Sequence, residues 1–123
     1  VEKAENDLKN ATHTLKLGRE CPTDTVCFHA QQCVEKYLKA LLVYNGKDIS
    51  KTHHIGELMR MLPAMLRPEL SPYEQELLTD YAVSTRYPGD YDAIPLSEAK
   101  RAVQIARRVR RHVRALLPPT SLK

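Results

Sequence analysis

No apolar run in this sequence approaches the ~20 residues that a helix needs to cross a bilayer, so no membrane partner is expected. Cysteine is scarce: Cys21, Cys27 and Cys33 are odd in number and contain no C-x-x-C pair. That argues for reduced thiols and against both a disulfide framework and a zinc site. No stretch alternates polar and apolar residues at period two, so no sheet is expected. No signal-peptide pattern is visible, although the chain opens on Val1 and not Met. The expectation is a cytoplasmic protein whose true start can lie further upstream.

The most uneven absence is that of negative charge near the end. From Lys100 to Arg114 there is no acid, while Lys100, Arg101, Arg107, Arg108, Arg110, Arg111 and Arg114 supply seven cations. The other residues carry 12 basic against 15 acidic groups, a balance of −3, so the net +4 belongs to one segment. Such a concentration is the electrostatic footprint of a site for polyanions or an acidic partner.

What is present is helical periodicity. Residues 26–46, VCFHAQQCVEKYLKALLVYNG, place Ala30, Val34, Tyr37, Leu38 and Leu41 on one face at three- and four-residue steps. Cys33, Ala40 and Tyr44 widen that stripe, which predicts a helix buried between neighbours. Asp24 or Thr25 is the expected cap, and Gly46 suits the left-handed residue that ends a helix. Before it, residues 1–17 read as a helix with Ala4, Leu8, Ala11 and Leu15 inward, and with Glu2, Lys3, Glu5, Asp7 and Lys9 solvated. After it, Thr52 is expected to cap a third helix with Ile55, Leu58, Met59 and Leu62 inward. Pro63 and Pro68 bracket a segment that can form a further helical turn.

Ser71-Pro72 is a helix start with a cap residue and then proline at the first helical position. That helix should fail near 85–87, before Pro88-Gly89. Ser97 is expected to cap the basic helix, running over 97–117, with Ala99, Ala102, Val103, Ala106, Val109, Val113 and Leu117 inward. At 123 residues the chain is read as a single domain, residues 1–123. The fold class is all-α, an antiparallel up-and-down bundle of four to five helices.

FHAQQCVEKYLKALLVYNGK, then THHIGELMRML, and later TDYAVSTRYPGDYD together resemble the HEPN domain family. The resemblance covers roughly residues 4–117 and implies the same up-and-down architecture. It further implies nucleotide or RNA binding, a homodimer, and company with a minimal nucleotidyltransferase as a toxin–antitoxin pair or two-component enzyme. In such a pair this chain is the binding or toxin component, since it has no sheet to carry the paired carboxylates of a nucleotidyltransferase. No cofactor is called for.

Ribonucleases of the family use an Arg followed by four to six residues and a His. Such a His can serve as general acid or base, while the Arg steadies phosphate charge. Arg86 stands in the corresponding region here, but the residue after a four-residue gap is Tyr91, and no His occurs between Arg86 and His112. With a reference pKa near 10, Tyr is a poor base at neutral pH, which argues against metal-independent RNA cleavage. If the chain is nevertheless a ribonuclease, Arg86 and Tyr91 are the residues to test.

Arg107 and His112 match Arg-x4-His by count, but five residues turn a straight helix by roughly 140°, so their side chains diverge. His112 is read as a solvated helix residue. For nucleotide or RNA binding the candidates are Arg86, Tyr87, Asp90 and Tyr91 in the loop, with Gln32, Lys36 and Lys39 sharing a side of the long helix. Gln31, Lys36 and Lys39 can equally be that helix's wet face. The basic patch is Arg101, Arg107, Arg108, Arg111 and Arg114, with Arg110 a candidate for an ion pair across a helix interface. His53-His54 lacks neighbours at ligand spacing, so no metal site is assigned. Two other readings stand beside the leading one: a ribonuclease with a departed motif, and an interaction module whose basic helix docks on an acidic protein.

Overall fold

The computed structural model describes residues 1–48, 51–82 and 94–122. Five helices follow one another: α1 (Glu2–Leu15), α2 (Thr23–Tyr44), α3 (Ile55–Met61), α4 (Pro72–Ala82) and α5 (Leu96–Leu116). Among the described residues there is no strand. The architecture is the all-α antiparallel bundle that the periodicity predicts.

α2 is its axis. Val26, Cys27, Ala30, Cys33, Val34, Tyr37, Leu38, Leu41 and Leu42 are all fully buried on it, a stripe too wide for one neighbour. α1 and α5 pack along it most extensively, with α4 and the short α3 closing the remaining side. α2 begins earlier than expected, at Thr23, so neither Asp24 nor Thr25 occupies the cap position, which falls to Pro22. The Thr23 hydroxyl instead donates to the Ile94 carbonyl (2.7 Å), tying the start of α2 to the approach to α5. The far end follows expectation. Gly46 takes φ +74°, Gly46 N donates to Val43 O (3.0 Å) and Lys47 N to Leu42 O (2.9 Å). This paired return of amides to the last carbonyls is the Schellman ending that glycine permits.

α4 starts at Ser71-Pro72 with a reciprocal capping box. Glu74 N donates to Ser71 Oγ (3.1 Å) and Ser71 N donates to Glu74 Oε1 (3.0 Å). Two other caps differ from expectation. α3 is capped by His54, whose Nδ1 accepts from Glu57 N (3.2 Å), while Thr52 Oγ1 accepts from His54 N (3.0 Å) one step upstream. α5 starts after Pro95 without a side-chain cap, so Ser97 lies inside the helix. Between α3 and α4, Ala64–Leu66 form the short 3-10 turn that the flanking prolines allow.

The inward side of α5 holds Ala99, Ala102, Val103, Ala106, Val109 and Val113, joined by Ile105. The Tyr81 hydroxyl donates to Glu98 Oε2 (2.9 Å) and links α4 to α5. On α1, Ala4 and Ala11 are fully buried, small enough to let the helix lie close to the core. Asp7, expected in solvent, is buried as well.

Candidate nucleic-acid interface

Arg86, Tyr87, Asp90 and Tyr91 lie outside the described residues, as does the expected end of α4 near 85–87. The sites that can be built from geometry are therefore the outer face of α2 and the flanks of α5.

On α2, three of the polar residues expected to line a site are engaged within the bundle. Glu35, 4% exposed, accepts from Gln31 Nε2 (2.9 Å), His53 Nδ1 (2.8 Å) and Lys39 Nζ (3.1 Å). Burial opposes its ionisation, yet the His53, Gln31 and Lys39 hydrogen bonds outweigh it and hold the carboxyl below the usual range. Gln31 is thus not part of a wet face. It is fully buried and also accepts from Gln32 Nε2 (2.7 Å). Asp7 of α1 accepts from His29 Nδ1 (2.9 Å) and Lys36 Nζ (2.5 Å). Gln32, Lys36 and Lys39 do share one side of α2, but each lysine head answers a buried carboxylate. Lys36 and Lys39 also border a groove of about 650 Å³ whose other walls include Ala40, Val43, Tyr44 and Leu117. Gln32 does not reach it.

The seven cations of α5 divide into two kinds. Arg110 Nε donates to Glu5 Oε1 (2.5 Å), Arg114 Nη1 lies 3.6 Å from the same oxygen, and the Tyr37 hydroxyl donates to it too. Burial works against the Glu5 carboxyl, but the bonds from Arg110 and Tyr37 hold it below its ordinary value. Burial and the neighbouring carboxylate push Tyr37 up to about 12, so it stays a hydroxyl donor. Arg108 reaches both oxygens of Glu74 (3.1 and 3.2 Å) and the Glu69 carbonyl (3.0 Å). The seven charges are therefore not all unopposed. α1 and α4 supply the acids, a pairing that sequence order conceals.

Lys100, Arg101, Arg107 and Arg111 remain exposed, and no acid among the described residues forms an ion pair with them. Arg101 sits 5.9 Å over the Tyr73 ring, on the α4 flank with Arg108. Arg107 and Arg111 face α1, and Arg107 Nη2 is 3.5 Å from Thr12 Oγ1. The expected patch divides accordingly, with Arg101 on the α4 flank, Arg107 and Arg111 toward α1, Arg108 bordering both, and Arg114 held at Glu5. A groove of about 470 Å³ is lined by Arg107, Arg108, Arg110 and Arg111 with Gln104 and Leu8. It continues into a hollow of about 280 Å³ that adds Lys9, Thr12, His13 and Lys16 of α1. Those α1 cations were missed as site residues. Their signal is the seven-residue spacing of Lys9 and Lys16, two helical turns that keep both on one face.

Among the described residues no group of three His, Cys, Asp or Glu side chains is placed to hold a metal ion. None of the three cysteines is joined in a disulfide, and burial pushes the Cys33 thiol up to about 12. Comparison with known families decides what the bundle is. The HEPN domain model matches residues 1–116. The chain belongs to the HEPN family.

One curated relative, named "Putative toxin MJ1304", from Methanocaldococcus jannaschii, is 34% identical over 99 residues, covering 74% of this chain. This HEPN chain spans 62% of that relative's length. A crystal structure of TT1696 from Thermus thermophilus superposes with a TM-score of 0.74 at 29% identity, covering 94% of each chain. Within the HEPN bundle, Arg107 and His112 diverge as helical geometry requires. Arg107 reaches Thr12 of α1, while His112 Nε2 donates to the Leu66 carbonyl (2.8 Å) in the 3-10 turn. His112 is thus not simply solvated, as expected from sequence. It pins the α3–α4 connection to α5.

Proposed function

We propose that this HEPN chain binds RNA or nucleotide and is the binding or toxin component of a toxin–antitoxin type pair, with a minimal nucleotidyltransferase as its partner. It acts as a homodimer and needs no cofactor. The observation that carries the binding half is the exposed strip of α5. After Arg108, Arg110 and Arg114 have been neutralised by Glu74 and Glu5, Lys100, Arg107 and Arg111 still stand exposed without an acidic partner among the described residues. No ion pair among the described residues ties them to the bundle, whereas a phosphate backbone attracts such cations through release of its counterions. Membership of the HEPN family and the toxin name of the archaeal relative support the pairing half.

The test is a titration of the protein with ATP, GTP and a short single-stranded RNA at two salt concentrations, with the RNA inspected on a gel and Arg86→Ala in parallel. The expected result is salt-sensitive binding without cleavage, weakened in the variant. Cleavage that vanishes with Arg86 would replace this reading by a ribonuclease. Failure to bind any of the three would leave an acidic protein as the target of the basic helix. Co-purification with a co-expressed nucleotidyltransferase tests the pairing half separately.

A further inference from the structure

Resting on the reading that the chain binds RNA, we propose that the groove between α1 and α5 is the track for a single-stranded RNA backbone, gripped through its phosphates and not through its bases. Four exposed cations line it: Lys9 and Lys16 from α1, and Arg107 and Arg111 from α5. Among the described residues none of them forms an ion pair with an acid. Steps of seven and four residues keep Lys100, Arg107 and Arg111 on one strip, about 16 Å long at 1.5 Å per residue. That length exceeds what the phosphates of one mononucleotide present and suits a chain of them.

The single carboxylate on the groove wall, Glu5, does not repel such a ligand, because Arg110 and Arg114 already hold it. Thr12 and Gln104 add neutral hydrogen-bonding groups between the cations.

The lining also selects the class of polyanion. Leu8 is its one large apolar residue, and it is half-buried, so the groove lacks the apolar pocket on which a protein partner is usually anchored. His13 is the one ring in the lining, so bases have at most a single stacking platform there. Binding on this track is therefore tolerant of sequence and steeply dependent on salt.

The experiment compares the wild-type chain with Arg107→Gln/Arg111→Gln, Lys9→Gln/Lys16→Gln and a control pair, Lys47→Gln/Lys51→Gln, at exposed positions away from the groove. Each is titrated with short A-rich and U-rich single-stranded RNAs over a range of salt, after its helical signal and melting temperature have been matched to wild type. Each groove pair should weaken binding about tenfold or more. Each should also flatten the log–log salt slope by about 1.4, two phosphates at ~0.7 apiece. The control pair should bind as wild type, and the two RNAs should bind alike.

RNA binding that survives both groove pairs would overturn the track while leaving the RNA reading standing. A wild-type chain that binds no RNA would sink the reading itself. Displacement of RNA by polyglutamate at equal charge concentration, with the same dependence on the groove pairs, would overturn RNA in favour of an acidic protein ligand.

Discussion

Arg110 and Arg111 are neighbours on α5, yet one reaches into the bundle to Glu5 and the other stands in solvent facing the α1 groove. Arg108 and Arg114 side with the first, Lys100 and Arg107 with the second. The difference teaches that a run of cations has no single role. On the inner edges of α5 a guanidinium fastens the helix to α4 or α1, its stem covering apolar surface. On the outer strip the same group is left for something outside the bundle.

The comparison can be broken most severely at Glu5. Replacing Glu5 by Ala removes the acceptor of Arg110, Arg114 and Tyr37 together, and should lower stability by about 2 kcal/mol. A urea melt that shifted no more than for an ordinary surface substitution would contradict the fastening role.

Acid should act in the same direction. Burial raises the pKa of Glu5, Glu35 and Glu74, but hydrogen bonds and neighbouring cations outweigh it and leave all three below their ordinary values in the folded chain. Groups depressed on folding stabilise fully above the unfolded value and lose that contribution as pH falls through the folded one. The melting temperature should therefore drop as pH descends from about 4.5, and Glu5→Ala should blunt part of that drop. An equal drop in wild type and variant would remove Glu5 from the account.

Arg108→Ala comes next, at about 1 kcal/mol, because its pairing with Glu74 is partly exposed and screened. Smallest of all, Arg107→Ala and Arg111→Ala should change stability by less than ~0.5 kcal/mol. A loss comparable with that of Arg108→Ala would show that the outer strip is structural too.

Much of the fold was legible because its signals are local. The 26–46 stripe marks α2, Gly46 marks its Schellman ending, and Ser71 with Glu74 closes the capping box of α4. The misread positions are those whose role depends on a partner distant in sequence. Asp7 looks like a surface acid on α1, yet His29 and Lys36 of α2 make its burial tolerable. Gln31 looks like a wet residue until Glu35 and Gln32 are placed beside it. His54 and not Thr52 caps α3, because a histidine ring nitrogen can accept an amide as well as a hydroxyl can. The candidate site was half legible in the same sense. Its α5 cations announce themselves as a run free of acids, whereas Lys9 and Lys16 look ordinary until the bundle sets α1 beside α5.

Ala4 and Ala11 give that juxtaposition its dimension. Both are fully buried, so at these two points α1 meets the core through side chains of a single carbon, with Leu8 and Leu15 packed beside them. A larger residue at either position must lift the helix or force its neighbours off their rotamers. Lifting it would widen the space between Lys9 and Arg107 without altering any group that a ligand touches. The calibre of the groove is thus set from beneath, and substitutions at these two alanines would tune grip at the surface as well as stability within.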